Sequence, residues 1–192
     1  DDLSVVNAAR VSYSKKATWG WNDGTYLKDK DVKLVNYLAK HNHWSPFGHA
    51  SMQFHIKAPV FVARQLVKHQ IGLTWNEISR RYVDFPPEFY DVDVWRGRPV
   101  DKKQGSSDNT VEWVNRDRRT DTLKSEVENI ALKNYNTMIE AGVAPEQARF
   151  VLPQGMYTEW YWTGSLAAYA RFYKQRIDNH AQWEIRKYAE AV

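Results

Sequence analysis

No cysteine occurs anywhere in the 192 residues, which excludes disulfides, thiolate metal sites and any Cys nucleophile. No apolar run reaches the length of a membrane-spanning helix, and no secretory signal is visible. Composition breaks, low-complexity tracts and internal repeats are also lacking, so one domain over residues 1–192 with a sizeable core is expected. Neither sign of charge dominates. Twenty-seven Lys and Arg against 23 Asp and Glu leave +4 and a pI near 9.1, a mild leaning toward phosphates, nucleotides or nucleic acid. Because the basic residues are interleaved with acids, no phosphate-tracking stripe emerges. Hydrophobic content of 43% with 26% charged residues belongs to a globular chain.

What is present is concentrated chemistry. Residues 64–82 contain Arg64, Gln65, Lys68, His69, Gln70, Thr74, Asn76, Glu77, Ser79, Arg80 and Arg81, with no proline, directly after the apolar run 59–63. Fork-shaped guanidinium donors suit phosphate, and the nearby amides and carboxylate suit a ring bearing both donors and acceptors. The plainer alternative is a solvated helix face followed by a charged loop. The variety of groups argues against it, since a fold needs none of them for stability.

Periodicity predicts an α+β fold, with a mixed sheet and several packed helices. Val32, Leu34, Val35 and Leu38 fall at helical spacing over 29–39. Residues 51–57 alternate, with Met52, Phe54 and Ile56 on one face, as expected of a strand. Pro59 opens an expected helix to about residue 70. A polar surface insertion is expected at about 100–118, its most mobile part 101–109, which includes Lys102. The longest expected helix is 121–141, with an apolar stripe of Leu123, Val127, Ile130, Ala131, Tyr135, Met138 and Ile139. Further helices are expected from Pro145, over 165–176 and over 180–191, with a strand at 157–162. Strands and helices do not alternate regularly, so no dinucleotide-binding unit of the Rossmann type is expected.

Four histidines, His41, His43, His49 and His55, invite a metal reading, but no nearby acid completes a ligand set. Hydrogen-bonding or stacking roles are preferred, and no metal is expected. Arg149 has a bland alternative in an i,i+3 pair with Glu146, and Arg176 in pairs with Asp178 or Glu184. Ser79 has no Ser-His-Asp spacing to activate it, so it is expected to orient substrate. Most of the nine Trp and eleven Tyr are expected in the core and in subunit contacts.

The polar segment resembles the signature of the flavin-dependent thymidylate synthases: an Arg-His-Arg triplet, a spacer, then Asn-Glu-x-Ser-x-Arg-Tyr. Here the triplet reads Lys68-His69-Gln70, the spacer is one residue longer, and the second half is Asn76-Glu77-Ile78-Ser79-Arg80-Arg81-Tyr82. Three more blocks resemble the family in its order. They are His41-Asn42-His43-Trp44-Ser45-Pro46-Phe47-Gly48-His49 with its continuation to Gln65; Glu146-Gln147-Ala148-Arg149-Phe150-Val151-Leu152-Pro153 with 157–162; and Arg176-Ile177-Asp178-Asn179-His180-Ala181-Gln182-Trp183-Glu184-Ile185-Arg186. The opening run 2–12 is similar too.

The resemblance implies a fold of the thymidylate synthase-complementing type. It also implies a methyltransferase that makes dTMP from dUMP, with methylenetetrahydrofolate as one-carbon donor, FAD as cofactor and NADPH as reductant. The missing thiol agrees, since the other known route to dTMP uses a Cys thiolate. Carried over residue by residue, dUMP would meet Gln65, Lys68, Glu77, Ser79, Arg80, Arg81, Arg149 and Arg176. Arg176 and Ser79 would take the catalytic roles, Arg176 by favouring the N3-deprotonated ring. FAD would meet His43, Ser45, Lys68, His69, Gln70, Glu77, Ser165 and Arg171. The family's Asn-x-Arg element falls on Ser165-Leu166-Ala167, with Arg171 and Lys174 as compensating cations. A homotetramer with shared active sites and a cytoplasmic setting, in a bacterium or a phage-infected one, are further implications. The alternatives are a diverged flavin- and nucleotide-binding homologue without methyl transfer, and a basic nucleic-acid-binding module.

Overall fold

A computed structural model describes residues 1–20, 26–101 and 103–192. Its centre is the strand β5 (Tyr157–Ser165), flanked by β1 (Ser51–Pro59) on one side and β2 (Leu73–Glu77) on the other. Both pairings are antiparallel, with Ile56 opposite Trp160, and Trp75 opposite Trp162. The α+β expectation therefore holds, but the sheet is antiparallel rather than mixed. Its two edge strands run the same way, yet they never pair, because β5 returns between them.

Period-two alternation decides which face is packed. Trp160 and Trp162 are each 1% exposed and point to the same side as Phe54, Ile56 and Trp75. Trp75 stacks on Trp160 at 4.0 Å between centroids, while Trp162 meets Tyr169 and Phe172 edge-on at 5.3 and 4.9 Å. Against this face lie α3 (Val60–Leu66), α6 (Leu166–Arg176) and α7 (Trp183–Ala191), which supply Val62, Ala63, Leu66, Tyr169, Phe172, Ile185 and Ala189. Burying each large side chain contributes about 1.5–3 kcal/mol. Gly164 is obligatory at the centre: a Cβ there would lie 2.3 Å from Leu73 Cδ2 and 2.6 Å from the Gly72 carbonyl oxygen.

The remaining helices surround this core. α1 (Asp2–Arg10) and α2 (Asp29–Lys40) are joined by an Arg10–Asp31 pair in which the carboxylate is fully buried. A hairpin, β3 (Trp113–Asn115) and β4 (Arg118–Arg119), precedes the long α4 (Thr120–Glu140), which is followed by the short α5 (Pro145–Ala148). The stretch 103–109 ahead of that hairpin carries no helix or strand. Lys102 lies outside the described residues.

Several boundaries differ from expectation for local reasons. α3 stops at Leu66 because successive turn hydrogen bonds at 67–69, and Gly72 at φ +77°, swing the chain into β2. α7 begins at Trp183 rather than near 180, since Asp178 accepts hydrogen bonds from the backbone N–H of His180 and pairs with its ring. The element at Pro145 ends after one turn, so Arg149 sits in a 3-10 turn (Arg149–Val151) and not on a long helix. On α4, Ala131 and Tyr135 are buried, but Val127 and Ile130 are exposed.

Candidate active site

Residues 78–81 follow the edge strand β2, whose ladder fixes where Glu77 emerges, and Arg81 reaches Glu146 on α5. Glu77, Ser79, Arg80 and Arg149 line one cleft of about 450 Å3, floored by Val60, Leu152, Pro153 and Met156. Glu77 accepts from the Thr158 hydroxyl at 2.6 Å and from Trp75 Nε1 at 3.0 Å, which locks its rotamer across the sheet. Arg80 donates to the Phe85 carbonyl at 2.5 Å and lies 4.7 Å from that ring's centroid. Arg149 donates Nε–H to the backbone carbonyl of Glu146 at 3.1 Å. The Glu146 carboxylate is instead bound by Arg81 at 3.3 Å, so the expected alternative pair between Arg149 and Glu146 side chains does not form. This leaves the Nη groups of Arg149 without a partner among the described residues. Ser79 Oγ accepts from the Arg81 N–H at 3.3 Å and has no imidazole beside it, which fits an orienting hydroxyl and not a nucleophile.

A second group forms where α3 ends against the last turn of α6. Arg176 donates Nε–H to His69 Nε2 at 2.8 Å, and the His69 ring meets Phe172 edge-on at 5.1 Å. Burial lowers the pKa of His69, and the positive charges of Arg176 and Arg171 lower it further. The imidazole is thereby held neutral, with Nε2 as acceptor and the proton on Nδ1. Gln65, four residues before His69, donates to Gln182 at 2.6 Å. Glu184, a suggested partner for Arg176, is taken by Arg96. None of Gln65, His69 and Arg176 lines the cleft around Ser79.

A third feature is a groove of about 420 Å3 between the 41–47 segment and α6. Leu38, Phe47, Leu166, Ala167 and Ala170 make it apolar, and His43, Arg171 and Lys174 edge it with polar groups. Trp44, which lines it, is 71% exposed. Apolar walls with small residues accommodate a planar ring, and two cations suit its phosphates, so the donor set fits a flavin nucleotide. Other expected flavin contacts are placed differently. Ser45 is exposed at the start of a 3-10 turn, Lys68 and Gln70 are exposed on the turn after α3, and Ser165 Oγ caps α6 by accepting from the Ala168 N–H at 3.2 Å. Arg171 donates to the Ile71 carbonyl. Among the described residues, no group of three His, Asp or Glu side chains is arranged to hold a metal ion.

A larger cavity of about 670 Å3, which shares Pro153 with the Ser79 cleft and reaches Gln182 of the second group, lies between Tyr90, Trp95, Arg96 and the α4 residues Lys124 and Glu128. Its charges are already matched internally, as Arg96 with Glu184 and Lys124 with Glu128, so Arg149 and Lys174, which form no ion pair among the described residues, are the better ligand candidates. Sequence reasoning missed Thr158, Gln182 and Arg96 as site supports. The signals were the 157–162 run of the second block, which contains Thr158, and the Gln182-Trp183-Glu184 run of the third; Arg96 lay in neither.

The sheet-centred α+β fold thus presents one cleft edged by Arg80 and Arg149 and a separate apolar groove edged by Arg171 and Lys174. The chain belongs to the thymidylate synthase complementing protein family, whose model matches residues 1–192. A flavin-dependent thymidylate synthase from Thermosipho africanus is 42% identical over 189 residues, covering 98% of this chain and 78% of that protein. Another from Thermus thermophilus is 41% identical over 192 residues, covering all of this chain and 66% of the relative. Among solved structures, the UMP/dUMP methylase PolB from Streptomyces cacaoi, bound with 5-Br dUMP, superimposes with a TM-score of 0.78. It is 31% identical, covering 100% of this chain and 83% of that one.

Proposed function

We propose that this protein converts dUMP to dTMP by flavin-dependent methyl transfer, with methylenetetrahydrofolate as one-carbon donor and NADPH as reductant. The observation that carries the reading is the cleft where Glu77, Ser79, Arg80 and Arg149 converge, in a chain matched end to end by the family. Arg149, Arg80, Arg81 and Lys68 supply cations for the nucleotide phosphate, Ser79 orients the nucleotide, and Gln65 and Arg176 read the pyrimidine ring. Arg176 acts at the developing anion: a guanidinium fixed by His69 costs no reorganisation when the ring loses its N3 proton.

FAD, when bound, relays hydride from NADPH so that the transferred carbon arrives as methyl. His43, Ser45, Lys68, His69, Gln70, Glu77, Ser165 and Arg171 are its proposed contacts. Of these, His43 and Arg171 already share one groove. The Ser79 cleft and the Gln65–His69–Arg176 group are separate on one protomer, and the outward side chains of Ile71, Val127, Ile130 and Phe150 leave apolar surface uncovered. Both features fit a homotetramer in which neighbouring protomers complete each active site. A cytoplasmic enzyme is the proposed setting, and among the described residues no helix is long and apolar enough to cross a membrane.

Incubation of the purified protein with dUMP, methylenetetrahydrofolate, NADPH and FAD tests this. The expected products are dTMP and tetrahydrofolate. Dihydrofolate in place of tetrahydrofolate contradicts the flavin route, because the folate itself would then supply the hydride. Flavin and dUMP binding without dTMP favours the diverged homologue.

A further inference from the structure

Three charged side chains share the Ser79 cleft without neutralising one another. Glu77, Arg80 and Arg149 all line it, yet among the described residues Glu77 forms no ion pair with either arginine. Each is tied instead to neutral groups. Arg80 donates to the Phe85 carbonyl and lies over that residue's ring, and Arg149 donates Nε–H to the Glu146 carbonyl. Glu77 is tied twice: Oε1 accepts from the Thr158 hydroxyl at 2.6 Å, and Oε2 from Trp75 Nε1 at 3.0 Å.

The sheet dictates this tether. Glu77 stands opposite Trp160 in the β2–β5 ladder, so Thr158, two residues earlier on β5, is its diagonal neighbour on the same face. Trp75, two residues before Glu77 on β2, shares that face by period-two alternation. Thr158 is buried, and the Trp75 ring is stacked on Trp160 at 4.0 Å, so neither donor can follow Glu77 if it swings. Glu77 itself is exposed at the end of its strand, where it lines the cleft. A hydrogen bond to a charged group outweighs an ion pair in open solvent, so two such bonds hold the carboxylate back from guanidinium groups that attract it.

We propose that Thr158 and Trp75 are positioning residues that keep Glu77 off Arg80 and Arg149, so that the cleft meets its nucleotide with both cations unneutralised. This rests on the reading that the cleft takes the dUMP phosphate. With a donor lost, the carboxylate turns toward the guanidinium groups and cancels charge that the phosphate needs. Held in place, one carboxylate and two cations stay separate in one cleft. A ligand bearing both a phosphate and a sugar hydroxyl satisfies all three, and a nucleoside without the phosphate does not.

Two measurements test the proposal and separate its failure from that of the function. The first is the ratio of deoxyuridine to dUMP dissociation constants, by calorimetry, which reads what the phosphate contributes. Thr158→Val keeps the shape of the side chain but removes the donor, and should shrink that ratio by about tenfold. Thr158→Ser should preserve it. Adding Glu77→Gln to Thr158→Val should restore the ratio, because a neutral amide cancels no charge. An unchanged ratio in Thr158→Val, or no restoration, overturns the proposal. The second measurement needs no nucleotide. In thermal unfolding, the Tm shifts of Glu77→Gln and of Arg80→Gln with Arg149→Gln should add in the wild-type background and fail to add alongside Thr158→Val. Additive shifts in both backgrounds overturn the tether. Trp75→Phe, which keeps the stacked ring but loses Nε1–H, replaces Thr158→Val in both measurements if that variant folds poorly. Wild-type protein that binds neither dUMP nor deoxyuridine removes the function, and the unfolding cycle alone then judges the tether.

Discussion

Arg176 and His69 hold each other: the guanidinium at the end of α6 donates its Nε–H to the imidazole Nε2 at 2.8 Å, on the turn that follows α3. The bond exists only while His69 is neutral, and burial with two nearby guanidinium groups lowers its pKa from 6.5. A depressed folded-state pKa means that the unfolded chain binds more protons in that window. Stability from this group is therefore complete above about pH 6.5 and declines as pH falls through the folded value. Uracil nucleotide affinity should decline over the same range, because a protonated His69 repels Arg176. Melting temperature and dUMP titration against pH check both, and His69→Asn should flatten the two profiles.

Arg176→Lys should lower kcat more than it raises the dUMP dissociation constant. Lysine keeps the charge but loses the fork and the Nε–H that His69 fixes, and the contact matters most as the ring becomes anionic. Arg149→Ala should instead weaken dUMP binding, by about tenfold or more, with a smaller effect on kcat, since a phosphate contact is present in ground and transition states alike. Normal binding and turnover in both variants would remove these residues from the site.

How far the sequence could be read depended on whether a signal was local. The strand at β5 and the helix α2 follow from alternation and 3.6-residue spacing, which are properties of neighbouring residues. β2 escaped notice because five residues with Leu73 and Trp75 as their inward pair are too short to separate from loop, and their ladder is supplied by β5 far along the chain. The antiparallel order of the sheet is a tertiary fact of the same kind. In the site, Arg149, Arg80 and Ser79 were marked by residue type. Gln182 and Arg96 were not, because their roles depend on reaching Gln65 and Glu184 across long stretches of chain.

Gly164→Ala should destabilise the protein, by about 1–3 kcal/mol or more, and loosen the Glu77 cleft with it. The added methyl would strike Leu73 and the Gly72 carbonyl, which lie where β2 departs toward Glu77. Phe172→Ala, which opens a cavity beside Trp162 without touching β2, should cost about 3–5 kcal/mol. Denaturant unfolding gives both values. If Gly164→Ala unfolds like wild type, the close approach of β2 to β5 is not tight in solution.

The final prediction concerns the flavin. Where the family pattern has two arginines, Lys68 and Gln70 stand exposed on the turn between α3 and Gly72, so neither supplies a bidentate donor. Each absent charge-assisted hydrogen bond is worth about 1.5–3 kcal/mol, or roughly ten- to a hundredfold in affinity. FAD should therefore leave the protein during purification, return on supplementation, and be held less well as salt rises. Lys174, beside Arg171 on the groove wall, offsets part of that deficit, and Lys174→Ala should weaken FAD further. The double change Lys68→Arg with Gln70→Arg should tighten FAD binding in a fluorescence titration, provided both side chains face the groove. Unchanged or weaker binding would mean that the turn at Gly72, one residue longer than the family pattern, carries 68 and 70 away from the flavin, and that the 41–47 segment and α6 hold it alone.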